Sequence, residues 1–282
     1  MEIRPLRPED RDAARGPADA VWPPEASRDP DEPRRYWAIR YERVLGTDPG
    51  GCWAAVDDDG RIVGTAIAHV RDGVWGLAHL AVMPDVQEHG IGHRLLDATL
   101  AYAEGSRAGL IASSTDPKAM RLYARAGFDL RPCVAAAGIV DRSAIPAGLR
   151  STDAGVEALE LGGPLGRAVR GAAYDPEDLA VYVASGGGVV RCGDRGIAVH
   201  RDEGVALVLA GDEETATDLL WSCLARSGNG TTVEVDYVMA GQDWAVRTVL
   251  AARLDLSPGG PFFIRGSLDA PLRPWIPTGG FL

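Results

Sequence analysis

The stretch Leu80-Ala81-Val82-Met83-Pro84-Asp85-Val86-Gln87-Glu88-His89-Gly90-Ile91-Gly92-His93-Arg94-Leu95-Leu96 constrains this chain more than any other. An apolar, strand-like run is stopped by Pro84, which has no N–H to give to a sheet ladder. A polar loop follows. Gly90 and Gly92 then open a segment whose Ile91, Leu95 and Leu96 recur at helical spacing. A strand delivered through a short loop into a helix commits the chain to an α/β fold. The same junction presents successive backbone N–H groups at a helix N-terminus, an anion-binding nest that glycines let a phosphate approach closely. Two other glycine-loop chemistries do not fit. A P-loop closes on Lys-Ser/Thr, and neither follows Gly92. A dinucleotide fingerprint needs a third glycine where this chain has Leu95.

The pattern around this junction predicts strands over Met1–Leu6, Cys52–Val56, Arg61–Val70, Val74–Val82 and Leu110–Ser114, with one or two more in Phe128–Val140. Asp57-Asp58-Asp59-Gly60 between two apolar runs is a hairpin turn. Helices are predicted over Asp10–Ala20, over Arg34–Leu45, where Trp37, Tyr41 and Val44 form an apolar stripe, and over Ile91–Glu104. Another runs from Asp116, an N-cap followed by Pro117, to Ala126, and Gly127 stops it. The order is α/β with a mixed, mostly antiparallel sheet flanked by helices.

The second half repeats the first in weakened form. At an offset of 126, Ala119, Arg121, Ala126, Asp129 and Leu130 meet Ala245, Arg247, Ala252, Asp255 and Leu256. At an offset of 124, Leu95-Leu96 and Leu100-Ala101 meet Leu219-Leu220 and Leu224-Ala225. Cys192-Gly193-Asp194-Arg195-Gly196 stands where the first hairpin turn would fall. The chain is therefore expected to hold a domain over 1–141, a linker over 142–163 and a second, related domain over 164–282, in keeping with a length of 282 residues. In that second copy Gln87, Gly90 and Gly92 become Gly211, Glu214 and Ala216, and Tyr123 becomes Val249. Carboxylates in the loop would repel a pyrophosphate by several kcal/mol.

A net charge of -11 argues against a general nucleic-acid binder. No apolar run reaches a membrane span of about 20 residues, and the polar N-terminus is unlike a signal peptide, so no membrane partner and a cytoplasmic location are expected. Cys52, Cys133, Cys192 and Cys223 form no Cys-x-x-Cys pair and read as buried thiols. His89 and His93 stand four apart beside Glu88, without an evident third ligand, so no metal is expected.

With these residues the sequence resembles the GNAT family of N-acetyltransferases over about residues 1–140. Gln87-Glu88-His89-Gly90-Ile91-Gly92 matches the family's Gln/Arg-x-x-Gly-x-Gly/Ala loop. Asp116-Pro117-Lys118-Ala119-Met120-Arg121-Leu122-Tyr123-Ala124-Arg125-Ala126-Gly127-Phe128 matches a second family motif, with Asp116 in place of the usual Asn. The resemblance implies two tandem GNAT folds, the second degenerate, with a structural or acceptor-recognition role. It implies direct acetyl transfer from acetyl-CoA, as co-substrate, to a primary amine. Carried over by position, the backbone of Leu80, Ala81 and Val82 would pair with the pantetheine arm. Gln87 would belong to the loop, and the amides of Glu88, His89, Gly90, Ile91, Gly92 and His93 would hold the pyrophosphate. Tyr123 would protonate the leaving thiolate. A non-catalytic acyl-CoA or metabolite sensor would keep the loop without needing Tyr123.

Between the first two helices, Trp22, Tyr36 and Trp37 stand among Asp19, Glu25, Asp29, Asp31 and Glu32, a composition suited to a small cationic amine. The protein is expected as a monomer or homodimer. For the general base the candidates are His79, water and the C-terminal carboxylate. Counting by twos from Leu80 and Val82 sets His79 on the face opposite Ala78 and Gly76, where family bases tend to sit. The last twelve residues, Pro271–Leu282, are too rich in proline for a helix and too apolar to be left in solvent, so they are expected to dock through Trp275 and Phe281.

Overall fold

A computed structural model describes residues 1–23, 31–201 and 204–282. The chain divides into two compact units, Met1–Ile111 with Gly280–Leu282, and Ala112–Gly279.

The first unit begins with β1 (Glu2–Pro5), α1 (Arg11–Val21) and α2 (Glu32–Thr47). There follow β2 (Cys52–Val56), β3 (Ile62–Arg71), β4 (Val74–Val82), α3 (Ile91–Ala101) and β5 (Ala108–Ala112). Strands β1 to β4 pair antiparallel in chain order, and β5 joins β4 in parallel. The β2–β3 hairpin turns where Asp57 Oδ1 accepts the N–H groups of Asp59 and Arg61, with Gly60 at φ +82°. Alternate residues of β3 face opposite layers. Gly64 lies under Ile91 and Leu95 of α3, while Thr65 donates to the Ala14 carbonyl of α1 at 3.4 Å. Ala55, Val63, Ala66, Val82, Ile91 and Leu95 form the core beneath α3.

The second unit holds α4 (Pro117–Arg125), β6 (Asp129–Arg131), β7 (Cys133–Ile139), β8 (Thr152–Ala154), α5 (Gly162–Arg170) and α6 (Pro176–Ala184). It continues with β9 (Gly188–Arg191), β10 (Gly196–Arg201), β11 (Gly204–Ala210), α7 (Glu213–Arg226), β12 (Thr232–Met239) and α8 (Asp243–Ala251). Last come β13 (Asp255–Pro258), β14 (Phe262–Gly266) and β15 (Trp275–Ile276). Its main sheet runs β8-β9-β10-β11-β12-β7-β13. The β8 to β11 steps are antiparallel and β11–β12 is parallel, the sequence of pairings seen in β1 to β5. The stretch expected as a linker, 142–163, supplies β8, whose three residues are too few for a period to show in sequence.

One pairing departs from the chain order. Strand β7, expected to complete the first domain, lies between β12 and β13. Within the same unit β14, late in the chain, pairs with β6.

Candidate active site

Strand β4 pairs with β3 along its length but with a break in register. Ile67 stands opposite His79 and Ala68 opposite Leu77, so Ala78 is an extra residue, a β-bulge. Pairing with β5 runs from Val74 to Leu77 and ends there. Beyond the bulge, Leu80, Ala81 and Val82 keep β3 on one side and have no registered partner in β5, leaving an edge on which an extended amide-bearing ligand can align.

The bulge corrects the parity read from sequence. With one residue inserted, His79 shares a face with Gly76 rather than opposing it. The His79 ring packs edge-on to Trp22 and Trp37, with centroids 5.5 and 5.4 Å away, and its Nε2 lies 3.0 Å from Thr65 Oγ1. Burial, reinforced by the positive charge of Arg40, draws its pKa down to about 3. Over the same bulge, Arg40 Nη2 donates to the Ala78 carbonyl at 2.6 Å.

After β4 the loop is tied back by Gln87 Nε2, which donates to the Val82 carbonyl at 3.0 Å. His89 Nδ1 lies 2.8 Å from the Gln87 carbonyl oxygen. Gly90 is the N-cap of α3, at φ +74° with ψ 8°, and no side chain caps the helix. A Cβ built on Gly90 would meet nothing within 4 Å. Glu88, at φ +70°, turns the backbone just before it. The loop thus keeps the first-turn N–H groups of α3 clear of any capping side chain, the arrangement that receives an anion. His93 faces Asp97 at 2.8 Å on the exposed side of the helix. Among the described residues no cluster of three metal-ligating side chains occurs.

The N-terminus of α7, in the second unit, is closed. Asp212 caps α7, accepting the Thr215 N–H at 2.9 Å, and Arg195 Nη2 lies 2.7 Å from its other carboxylate oxygen. A side-chain anion already takes the place that Gly90 leaves open.

Tyr123 belongs to the second unit, on α4, where Asp116 accepts the Lys118 N–H at 2.8 Å and Gly127 ends the helix at φ +83°. Its phenol is buried, edge-on to Phe263 at 5.5 Å, and burial pushes its pKa above the usual tyrosine value. Of the acidic residues singled out around the first two helices, Glu25 and Asp29 lie outside the described residues, and Asp19, on α1, pairs with Arg15 at 2.9 Å.

Two residues were missed from sequence. Arg40 follows Trp37 by three positions, so a charge on the apolar stripe of α2 was the available signal. His69, fully buried on β3, contacts Phe281 and Leu282; a polar residue within a strand buried on both faces was its signal. Both expected anchors of the tail are buried. In the second unit Trp275 Nε1 donates to Tyr174 OH at 3.0 Å, and in the first Phe281 lies against the His69 ring. The four cysteines are free and buried.

Residues 16–128 match the acetyltransferase (GNAT) family. The mycothiol acetyltransferase of Clavibacter michiganensis is 39% identical over 117 residues, a match that covers 38% of this chain and spans 37% of that relative's length. A crystal structure from Pyrococcus horikoshii, described as an acetyltransferase, superimposes with a TM-score of 0.81 at 14% identity, covering 100% of this chain and 95% of that one. A GNAT-type N-acetyltransferase from Kribbella flavida gives 0.60 at 16% identity, covering 95% and 72%. At these identities the structural likeness concerns the fold. Among the described residues no helix is long and apolar enough to cross a membrane.

Proposed function

We propose that this chain, whose residues 16–128 belong to the GNAT family, is an N-acetyltransferase that moves an acetyl group from acetyl-CoA directly to a primary amine. The observation that carries the reading is the uncapped N-terminus of α3, with Gly90 opening onto free space, immediately after a strand whose edge is released at Leu77. These two features fit the two halves of coenzyme A: amides for a pyrophosphate, and a strand edge for an amide-bearing arm.

In this reading the backbone of Leu80–Val82 aligns the arm, and the amides from Glu88 to His93 hold the pyrophosphate. Gln87 fixes the loop to the end of β4. The amine nitrogen attacks the thioester carbonyl, the C–S bond breaks, and the departing sulfur takes a proton, the donor's role that the family motif over Asp116–Phe128 implies for Tyr123. Burial raises the pKa of this phenol, so it stays protonated through the neutral range. His79, at a pKa of about 3, is too weak a base to deprotonate an ammonium, and that step falls to water. The acceptor is a small cationic amine, a reading supported by the Trp22 indole, 45% exposed beside His79. The second unit acts as a degenerate copy, its helix N-terminus taken by Asp212.

Calorimetry with CoA, joined to release of free thiol from acetyl-CoA over a panel of amines, tests the proposal. One site per chain and amine-dependent thiol release are expected. Two equivalent sites would remove the degenerate-copy argument. Tight CoA binding with no thiol release on any amine would favour an acyl-CoA sensor.

A further inference from the structure

Arg40 is 8% exposed on the sheet-facing side of α2, next to Tyr41. Its guanidinium carbon lies 5.6 Å from the Tyr36 ring centroid, and its Nε is buried without a hydrogen-bond partner. Among the described residues no carboxylate lies within ion-pair distance of it. Burying a cation without a carboxylate partner opposes folding, and an apolar side chain of similar length would pack at this position without that penalty. The group Arg40 does hold is the Ala78 carbonyl, at 2.6 Å. That carbonyl belongs to the bulge residue, which lacks a registered partner in β3 and stands one position after β5 pairing ends.

We propose that Arg40 is a positioning residue for acyl transfer, one that pins the Ala78 carbonyl and so sets the peptide plane at the head of the free edge of β4. The peptide unit is planar, so fixing the carbonyl of Ala78 also fixes the direction of the His79 N–H. The inference rests on the acetyl-transfer reading above, in which an arm aligned along Leu80–Val82 brings its thioester to this end of the edge. Without the pin, the bulge can relax and the reacting carbonyl loses its alignment, while the pyrophosphate nest at Gly90 is untouched. Arg40 moves no proton and need not touch the substrate.

The test compares wild type with Arg40→Met and Arg40→Lys. It measures melting temperature, CoA affinity, kcat for acetyl-CoA over a panel of spermidine, glucosamine and an amino-acid amide, and hydrogen exchange at the amides of His79 to Val82. For Arg40→Met the expected result is CoA affinity within about twofold and kcat lowered about 10- to 100-fold, the scale of an ångström-sized misplacement. Exchange should quicken at His79 to Val82, and Arg40→Lys, which can still donate to the carbonyl, should recover part of both. A folded Arg40→Met protein with wild-type kcat, or with unchanged exchange at these amides, overturns the proposal. Absence of turnover in the wild type would count against acetyl transfer itself; the exchange data would still decide whether Arg40 pins the edge.

Discussion

The Nε2 atom of His69 lies 3.1 Å from the backbone nitrogen of Leu282 and 3.0 Å from its backbone oxygen. A ring protonated on Nδ1 accepts the Leu282 N–H, and a ring protonated on Nε2 donates to the oxygen, so either neutral form finds a partner. Gly76 makes the contact sterically feasible. A Cβ there would stand 2.9 Å from the Leu282 Cβ and 3.0 Å from His69 Nε2. Residues 280–282 are thereby held on the same face of β4 that carries His79. Gly76→Ala should displace Phe281 and Leu282 and destabilise the protein by about 1–3 kcal/mol through overpacking. An unchanged melting temperature would mean that Gly76 does not support this contact.

Gly90→Asp should separate folding from ligand binding. A non-glycine residue at φ +74° costs about 1–2 kcal/mol. Asp212 caps α7 from an extended backbone, φ -155° with ψ 160°, a geometry that position 90 does not share, so no capping gain offsets this cost. Stability should fall by about that 1–2 kcal/mol, while CoA affinity falls more than tenfold because a carboxylate stands against the anion. High salt should restore only part of the loss, since screening weakens the charge repulsion but leaves the occupied space. Wild-type affinity in this variant would show that the loop is not the phosphate nest.

Tyr123→Phe should slow acetyl transfer by roughly 10²- to 10⁴-fold, the usual span for a positioned general acid, with CoA affinity kept. The active form of the phenol is the protonated one, and burial raises its pKa. No loss of rate attributable to Tyr123 should therefore appear up to about pH 10, the ordinary tyrosine value. Turnover near wild type in a folded Tyr123→Phe protein would assign the ring to packing against Phe263 alone.

Much of the fold and the loop was legible because their signals are local. Pro84, Gly90, Asp116, Gly127 and the Asp57–Gly60 turn each act within a few residues, and β2 and β4 have the bounds that sequence predicts. What was hidden depends on partners distant in sequence. The extra residue at Ala78 brings Gly76 onto the face that His79 occupies, and nothing in Gly76-Leu77-Ala78-His79 marks a bulge. The pairing of β7 with β12, and of β14 with β6, leaves no local trace, because a strand's apolar pattern records burial and not which strand it borders. Arg40 was hidden for a related reason. Its partner is a backbone carbonyl, and only the bulge leaves that carbonyl in need of a donor.

The enclosed His79 also makes a prediction about acid stability. Its folded pKa of about 3 lies below the unfolded value of 6.5, so below pH 6.5 the unfolded chain binds a proton that the folded protein refuses. Stability from this group is fully present above pH 6.5 and is lost as the pH falls toward 3, with a limiting slope of about 1.4 kcal/mol per pH unit. The cause is confinement between Trp22 and Trp37, together with the positive charge of Arg40. Carboxylates such as Asp48, held below their usual range by Thr47, Val70 and Arg71 despite burial, act mainly at lower pH, while burial raises Asp236, so it is the His79 variant that isolates this histidine's share. Denaturant unfolding of wild type and His79→Gln across that window should show a steep loss for the wild type and a flatter one for the variant. Equal slopes would mean that the histidine protonates in place, and that the pocket between the two tryptophans admits water and charge.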